Sequence, residues 1–141
     1  MQRVIIDTNV YIDWMNDGQY EEVIFQKDAV KHLSAIVIME LAAGAFSTRD
    51  RRLVREIGLA FGRVGRVIAP SVSVYQEAGE VLCKLQESFG YKLAGAHGLA
   101  NDVLIALSAR SIGAAVVTQN DRDFAAIQRI RPFKLAVVRA H

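Results

Sequence analysis

Short apolar runs alternate along the chain with longer segments whose apolar residues recur every three or four positions. Short apolar runs predict buried strands, and the three-to-four spacing predicts helices with one buried face. The predicted strands are Arg3–Ile6, Lys31–Ser34, Val67–Ala69, Ala114–Thr118 and Leu135–Val138. The predicted helices are Val10–Met15, Tyr20–Ala29, Ile36–Ala45, Ser47–Arg63, Ser71–Ser88, Leu99–Ser111 and Asp121–Ile127.

This alternation predicts an α/β fold, a three-layer α/β/α sandwich built around a mostly parallel sheet. Sites in such sheets form just beyond the carboxyl ends of the strands, at a topological switch point. Asp7 follows the first predicted strand, and Thr118 ends the fourth. The glycine-rich segment Gly90–Gly98 is too irregular for a phosphate-binding loop, so we expect it to be a connection.

Composition narrows the class of protein. The chain has 141 residues, of which 52% are hydrophobic and 23% charged, as is typical of one globular domain over residues 1–141. No apolar run approaches the ~18 residues of a membrane span, and no signal peptide is evident, so we expect a cytoplasmic protein. The single Cys83 excludes an internal disulfide and is expected to be a buried structural thiol. A net charge of +2 permits an anionic partner without requiring one.

The first candidate for chemistry is Asp7, in the stretch RVIIDTNVYIDW that spans residues 3–14. Asp, Thr and Asn all cap helices well, so Asp7, Thr8 and Asn9 are compatible with an ordinary strand-to-helix turn. Alternatively, Asp7 is a metal ligand at the carboxyl edge of the sheet. The rest of the chain is needed to decide between these interpretations.

Three further acidic segments each have a structural explanation of their own. Glu40 interrupts the apolar helix SAIVIMELAAGA, where it faces either solvent or a site. Asp102 follows Asn101 at a predicted helix start, where capping and the helix dipole favour Asp. Asp121 and Asp123 lie in VVTQNDRDF just past a strand, where turn chemistry also explains them.

Taken together, the acidic segments favour a metal site. Carboxylates that converge at one edge of a sheet repel each other unless a cation lies among them. A hard divalent cation such as Mg²⁺ prefers oxygen ligands and therefore suits such a set. Zinc is disfavoured, because Cys83 is alone and because His32, His97 and His141 show no ligand pairing.

The order of four motifs resembles that of PIN-domain ribonucleases, and most closely that of VapC-type toxins of bacterial toxin–antitoxin pairs. The motifs are IIDTNVYID, SAIVIMELAAG, NDVLIALSAR and VVTQNDRDF, and they extend over almost the whole chain. The resemblance implies a parallel-sheet α/β/α fold and an endoribonuclease that depends on Mg²⁺ or Mn²⁺. It also implies hydrolysis of RNA phosphodiester bonds by metal-activated water, a cognate antitoxin and a homodimer.

The resemblance assigns catalytic and metal-binding roles to particular acids. Asp7 matches the first family acid, a direct metal ligand, and Glu40 and Asp102 match the second and third. The fourth family acid often lies two residues after the strand-end Thr, where this chain has Asn120. Asp123 is the preferred replacement, and the alternatives are Asp121 or a site of three acids completed by waters. The residues expected to orient the carboxylates or a bound water are Thr8, Asn9, Thr118 and Asn120.

A basic stretch, TRDRRLVRE, offers Arg49, Arg51, Arg52 and Arg55 to RNA phosphates. Arg51 and Arg55 share one helix face, as do Arg49 and Arg52. Contacts of this kind would give an affinity for RNA that depends on salt and shows no sequence preference. The alternative is a solvated basic face without a ligand.

Aromatic residues are concentrated near the N-terminus. Tyr11, Trp14, Tyr20 and Phe25 are expected in the core or in a dimer interface rather than in a base-stacking surface. In the family that the motifs resemble, this region helps to form a groove for the antitoxin.

Two other functions stay open. One is a catalytically inactive PIN-like module that binds RNA or protein, with its site lost at Asn120. The other is a phosphatase with Asp7 as nucleophile, which is disfavoured because such enzymes usually carry a second Asp two residues on, where this chain has Asn9. Metal binding by the acids distinguishes the nuclease from the inactive module.

Overall fold

The computed structural model describes residues 1–94 and 97–140, apart from the side chain of His97. The strands are Gln2–Ile6 (β1), Ala29–Ser34 (β2), Val67–Ile68 (β3), Ala115–Thr118 (β4) and Lys134–Val137 (β5). The helices are Thr8–Asp17 (α1), Glu21–Ile24 (α2), Ala35–Ala43 (α3), Thr48–Arg63 (α4), Val72–Phe89 (α5), His97–Ser111 (α6) and Asp121–Ile130 (α7). The predictions for the His97 side chain, for His141 and for part of the segment Gly90–Gly98 lie outside the described residues.

The strands form a five-stranded sheet in the order β3-β2-β1-β4-β5, and every neighbouring pair is parallel. Parallel strands require crossover connections, which are right-handed in nearly all proteins. The strand order therefore places α1–α4 on one face of the sheet and α5–α7 on the other. Helices α5, α6 and α7 pack against one another, as this arrangement requires. The predicted three-layer α/β/α sandwich is confirmed.

The switch point of the sheet lies between β1 and β4, which are neighbours although they are far apart in sequence. The register pairs Ile6 with Val117, so both strands end at the same level. Beyond β1 the chain enters α1 on one face, and beyond β4 it enters α7 on the other, which leaves a crevice between them. The Asp7 backbone N–H donates to the Val117 carbonyl at 2.8 Å, so Asp7 stands at this crevice.

The core fills both sides of the two central strands and holds the crevice in place. Ile5 and Val116 are fully buried in the sheet. The helices contribute fully buried side chains to the same core, namely Val10 from α1, Ile105 from α6 and Phe124 from α7. Such close packing leaves little freedom for the helix ends that surround the switch point. In the described part of the chain, no helix is long and apolar enough to cross a membrane.

The predicted helix Tyr20–Ala29 is wrong beyond its first turn. Only Glu21–Ile24 is helical, and Ala29 already begins β2. Ala29 pairs with Gln2 and Val30 with Arg3, so β2 is longer than its apolar pattern indicated. Hydrogen bonding to β1 outweighs the local helical spacing, since secondary-structure propensity is weak compared with tertiary pairing.

The start of α6 and the exposure of Cys83 both differ from the predictions. Helix α6 begins at His97, so Asn101 and Asp102 lie in its second turn, and the predicted N-terminus at these residues is wrong. The expectation of a buried Cys83 is also wrong, because its side chain is exposed. The buried stripe of α5 passes instead through Ala78, Val81 and Leu85.

Candidate active site

Asp7 directly follows β1 and caps α1. Its Oδ1 accepts a hydrogen bond from the Thr8 backbone N–H at 2.8 Å, and its Oδ2 accepts one from Thr118 Oγ1 at 2.7 Å. The side chain is buried, and these two hydrogen bonds fix its carboxyl group in one orientation. The capping interpretation is therefore correct. Capping uses only one carboxylate oxygen, so it does not exclude a role in a site.

Thr118 is oriented by neighbours that occupy its acceptor positions. Its Oγ1 accepts hydrogen bonds from the Asn120 backbone N–H at 3.0 Å and from Asn9 Nδ2 at 3.4 Å. Asn9 Oδ1 in turn accepts a bond from the Gln119 backbone N–H at 3.3 Å. With both lone pairs of its oxygen engaged, the Thr118 hydroxyl directs its proton to Asp7. Asn9 and Thr118 thus lie where they can hold Asp7 in place.

Glu40 connects three helices rather than facing solvent. It is half-buried on α3, where its Oε1 accepts a hydrogen bond from Thr8 Oγ1 at 2.8 Å. Its Oε2 accepts a hydrogen bond from Asn101 Nδ2, on α6, at 3.3 Å. The interpretation of Glu40 as a residue of a wet helix face therefore does not hold, because both carboxylate oxygens point towards the crevice.

Asn120 bridges the remaining two acids. Its Nδ2 donates to Asp102 Oδ2 at 3.2 Å and to Asp123 Oδ2 at 3.1 Å. Its Oδ1 accepts from the Asp123 backbone N–H at 3.3 Å, which makes Asn120 the cap of α7. Asp123 also accepts a hydrogen bond from the Tyr91 hydroxyl at 2.7 Å. The amide that stands at the fourth family position thus links two carboxylates by hydrogen bonds.

The four acids have no basic partner among the described residues. None of the ion pairs there includes Asp7, Glu40, Asp102 or Asp123. The pKa of Asp102 is raised to about 8, first by burial and then by the charges of Asp7, Glu40 and Asp123. Burial is also the main cause that raises the pKa of Asp7, although the hydrogen bonds from Thr118 and Thr8 lower it. A cation placed among these groups would remove the repulsion.

This donor set fits a hard divalent ion that keeps part of its water. Across residues 1–94 and 97–140, no three His, Cys, Asp or Glu side chains stand together as the ligands of one metal ion. Instead, Thr8, Asn101 and Asn120 lie between the carboxylates. Mg²⁺ usually retains several waters and binds through one or two protein carboxylates, so it does not need a closed protein cage. The residues present therefore fit Mg²⁺ or Mn²⁺ with water in the other positions.

Asp121 lies apart from the four acids. It is the first residue of α7, its side chain is exposed, and its Oδ2 lies 3.5 Å from Nη2 of Arg139. Asp123 is two residues further along the helix and faces the crevice. Of the two alternatives for the fourth acid, the structure brings Asp123 into the hydrogen-bonded cluster.

The arginines predicted to contact RNA lie on α4, and they fall into two groups. Arg49 is engaged within the protein, because it donates hydrogen bonds to the Met15 carbonyl at 3.1 Å and to Asp50 Oδ1 at 3.2 Å. Arg51, Arg52 and Arg55 are exposed. Ser47 caps this helix, since its Oγ accepts a hydrogen bond from the Asp50 backbone N–H at 3.0 Å.

Sequence reasoning missed two residues that touch the acids. Asn101 was interpreted as part of a helix cap, but it lies inside α6, where its side chain reaches Glu40 on α3. Tyr91 carries no such local signal, because its bond to Asp123 depends on how the connection after α5 folds back over α7. Only the tertiary structure brings this hydroxyl to the site.

Asn120→Asp is expected to destabilise the metal-free protein and to strengthen metal binding. The change removes two donated hydrogen bonds and adds a charge beside Asp102 and Asp123. We expect the free energy of unfolding in EDTA to fall by about 2 kcal/mol, and Mn²⁺ affinity to rise at least about tenfold. Thermal unfolding with and without Mn²⁺ measures both effects. Gln86→Glu is the matched control, because it makes the same amide-to-acid change at an exposed position of α5. It should change neither the free energy of unfolding nor Mn²⁺ affinity. An unchanged Mn²⁺ affinity in Asn120→Asp would contradict the arrangement described here.

Comparisons with known proteins find a family model and several solved structures that match this chain. The model of the PIN domain family matches residues 4–130. Among solved structures, a chain of VapBC-1 from nontypeable Haemophilus influenzae has a TM-score of 0.69 and 26% identity, with 96% of this chain and 98% of that chain covered. VapBC2 from Rickettsia felis, bound to a DNA fragment from its promoter, has a TM-score of 0.68 and 24% identity, with 98% and 100% covered.

A chain of DNA-bound VapBC from Salmonella typhimurium is similar to the same degree, with a TM-score of 0.69, 23% identity and coverage of 97% and 98%. No match was found among curated proteins. The resemblance to PIN domains, and within them to VapC-type toxins, is confirmed by these matches. Because the family model matches most of its length, the chain belongs to the PIN domain family.

Proposed function

We propose that this protein is an endoribonuclease that depends on Mg²⁺ or Mn²⁺, and that it is the toxin of a toxin–antitoxin pair. The observation that carries the proposal is the hydrogen-bonded cluster of Asp7, Glu40, Asp102 and Asp123 at the switch point of the sheet. Membership of the PIN domain family supports a nuclease, and the similarity to VapBC complexes supports a cognate antitoxin.

The chemistry follows from the residues of the crevice. Asp7 and Asp102 would hold the ion directly, since burial and neighbouring carboxylates raise the pKa of both groups and an adjacent cation would relieve both effects. When bound, a divalent ion makes water a stronger nucleophile and neutralises charge on a phosphate. Thr118 keeps Asp7 in place, and Thr8 and Asn101 keep Glu40 turned towards the crevice. With water as the nucleophile, the site needs no activated serine or cysteine.

A second surface suits the proposed antitoxin. A groove of about 470 Å³ lies between α1, α2 and α4, with an apolar floor and a charged rim formed by Lys31, Glu56 and Arg66. Trp14 and Phe25 meet there edge to face at 5.5 Å, and Phe25 is 55% exposed. Exposed aromatic side chains of this kind mark protein-binding surfaces. We place the antitoxin in this groove, and we take a homodimer and a cytoplasmic site of action from the resemblance to VapC-type toxins.

Ala60→Asp is expected to release the antitoxin while leaving RNA cleavage intact. Ala60 is an exposed residue of α4 that lines the groove, so the change places a charge in an apolar contact without emptying the core. We expect affinity for the cognate antitoxin to fall at least about a hundredfold. Leu59→Asp is the matched control, because Leu59 is 51% exposed and does not line the groove. Equal antitoxin affinity in the two variants would place the antitoxin elsewhere.

Cleavage of bulk cellular RNA by purified protein without its antitoxin tests the proposal. The reaction is compared in Mg²⁺, in Mn²⁺ and in EDTA. Discrete fragments that form with either ion and disappear with EDTA are the expected result. Equal cleavage in EDTA would exclude metal dependence, and no cleavage by folded, metal-loaded protein would exclude the nuclease.

One observation favours a second candidate, an inactive PIN-like module that binds RNA or protein. Asn120 replaces the acid that often stands at this position in the family, and in the described residues no three acids stand together as ligands of one ion. An inactive module would bind RNA or antitoxin without binding Mn²⁺. Metal titration therefore separates the two candidates.

A further inference from the structure

A second pocket lies beside the acid cluster. It is on the opposite face of the sheet from the groove between α1, α2 and α4. It has a volume of about 280 Å³ and lies between the C-terminal end of α5 and one face of α7. The residues that line it are Phe89, Tyr91, Arg122, Ala125, Ala126 and Arg129. The four residues from α7 follow helical spacing and so form one continuous face. Its two central alanines are small, which leaves room between the arginines.

The two arginines of this pocket are held in place by aromatic rings. Cζ of Arg129 lies 5.1 Å from the ring centroid of Phe89, and Cζ of Arg122 lies 6.0 Å from that of Tyr91. Both distances are within the range of cation–π attraction. In the described residues neither arginine forms an ion pair with a carboxylate. Two exposed guanidinium groups thus flank one cavity with their charge unneutralised.

Tyr91 joins this pocket to the acids. Its ring lines the cavity, and its hydroxyl donates to Asp123 Oδ1 at 2.7 Å. An RNA strand that extended from the acid cluster past Asp123 would therefore contact Tyr91 first and the two arginines next. The α4 arginines lie on the other face of the sheet and do not line this path.

We infer that this pocket binds backbone phosphates of single-stranded RNA next to the scissile bond, with Arg122 and Arg129 as the phosphate ligands. Guanidinium groups recognise phosphate through paired N–H donors, and a cavity of this size admits one nucleotide of a single strand rather than a duplex. The aromatic rings position the arginines and present apolar surface to a base. The inference rests on the proposed function, since it names where that substrate lies.

The test is the salt dependence of RNA binding in EDTA, where no metal-dependent cleavage interferes. The probe is a fluorescein-labelled single-stranded RNA of mixed sequence, about 12 nucleotides long, measured by anisotropy from 50 to 300 mM KCl. Each phosphate contact on a single strand contributes about −0.7 to the slope of log K against log salt concentration. The double variant Arg122→Gln, Arg129→Gln should therefore reduce the slope by about 1.4 and weaken binding at least about tenfold at 100 mM salt.

The control is Lys27→Gln with Lys84→Gln, which changes net charge by the same amount. Both lysines are exposed, and neither lines the pocket. This control should keep the slope of the wild type, so a difference between the two double variants reports local contacts rather than overall charge. Thermal unfolding of both variants confirms that each is folded.

The possible results separate this inference from the proposed function. Equal slopes in the wild type and the Arg122/Arg129 variant would overturn the inference, as would a wild type that does not bind the RNA. Lost affinity for the antitoxin with unchanged RNA binding would assign the pocket to the protein partner and also overturn it. A reduced slope in a protein that never cuts RNA would uphold the pocket while the nuclease proposal fails.

Discussion

Replacing Asp7 with Asn is expected to reduce RNA cleavage in Mg²⁺ at least about a hundredfold, while RNA binding in EDTA is retained. The change keeps the size of the side chain and the oxygen that accepts the Thr8 bond, so the cap of α1 survives. It removes the charge of the most buried acid in the cluster. Changing a group that merely supports a metal ligand costs about 10- to 100-fold in affinity or activity, and a direct ligand should cost no less.

Asp121→Asn is the matched control for this experiment. It makes the same chemical change at an acid that lies outside the cluster and pairs with Arg139. Single-turnover cleavage of one defined RNA, at saturating enzyme, measures both variants without interference from product release. A large loss in Asp121→Asn with near-normal activity in Asp7→Asn would show that the ligands have been assigned to the wrong acids.

The second large effect is on stability. Asp102→Asn should stabilise the metal-free protein, and the gain should grow with pH. The pKa of Asp102 is about 8 in the folded protein, well above that of an unfolded aspartate near ~4. From about pH 4 to pH 8 the folded state therefore binds the extra proton, so the free energy of unfolding falls as pH rises through this window. Asparagine carries no charge and escapes this penalty.

Thermal unfolding in EDTA at pH 4, 6 and 9 measures this effect. At pH 9 we expect the variant to gain at least about 1 kcal/mol, which corresponds to roughly 3 °C in a chain of this size. Near pH 4 the gain from this cause should be small, because the carboxyl is then protonated in the folded state and about half protonated in the unfolded chain. Adding Mn²⁺ should reverse the order at pH 9, since only the wild type has a carboxylate at position 102 to bind the ion. If the variant were less stable than the wild type at pH 9 in EDTA, the inferred repulsion between Asp102 and the neighbouring acids would be contradicted.

The sequence predicted those parts of the fold that depend on short-range pattern. The apolar runs at β1 and β4 are fully buried, so they stand out from their surroundings, and strand–helix alternation then determines the class of fold. The same pattern failed at Tyr20–Ala29, where helical spacing ends in a strand because β1 provides a partner. It also failed at Cys83, because a long helix offers more than one face with apolar residues.

The candidate site was predictable where a residue lies at the end of a strand. Asp7 and Thr118 end neighbouring strands, so the topology alone brings them together. The part played by Asn120 was not predictable in the same way, because it arises from an amide that reaches across to α6 as well as along α7. Tyr91 and the arginines of the second pocket depend on the docking of α5 against α7, which no local pattern encodes.

The most direct test of the central claim is calorimetric titration of Mn²⁺ into the purified protein at pH 7.5. The claim predicts saturable binding to the wild type and none to Asp7→Asn. It also predicts that the heat depends on the buffer, because the ion must displace the proton that Asp102 holds near its pKa of about 8. Absence of binding by the folded wild type, or equal binding by Asp7→Asn, would contradict a metal centre at the switch point of this sheet.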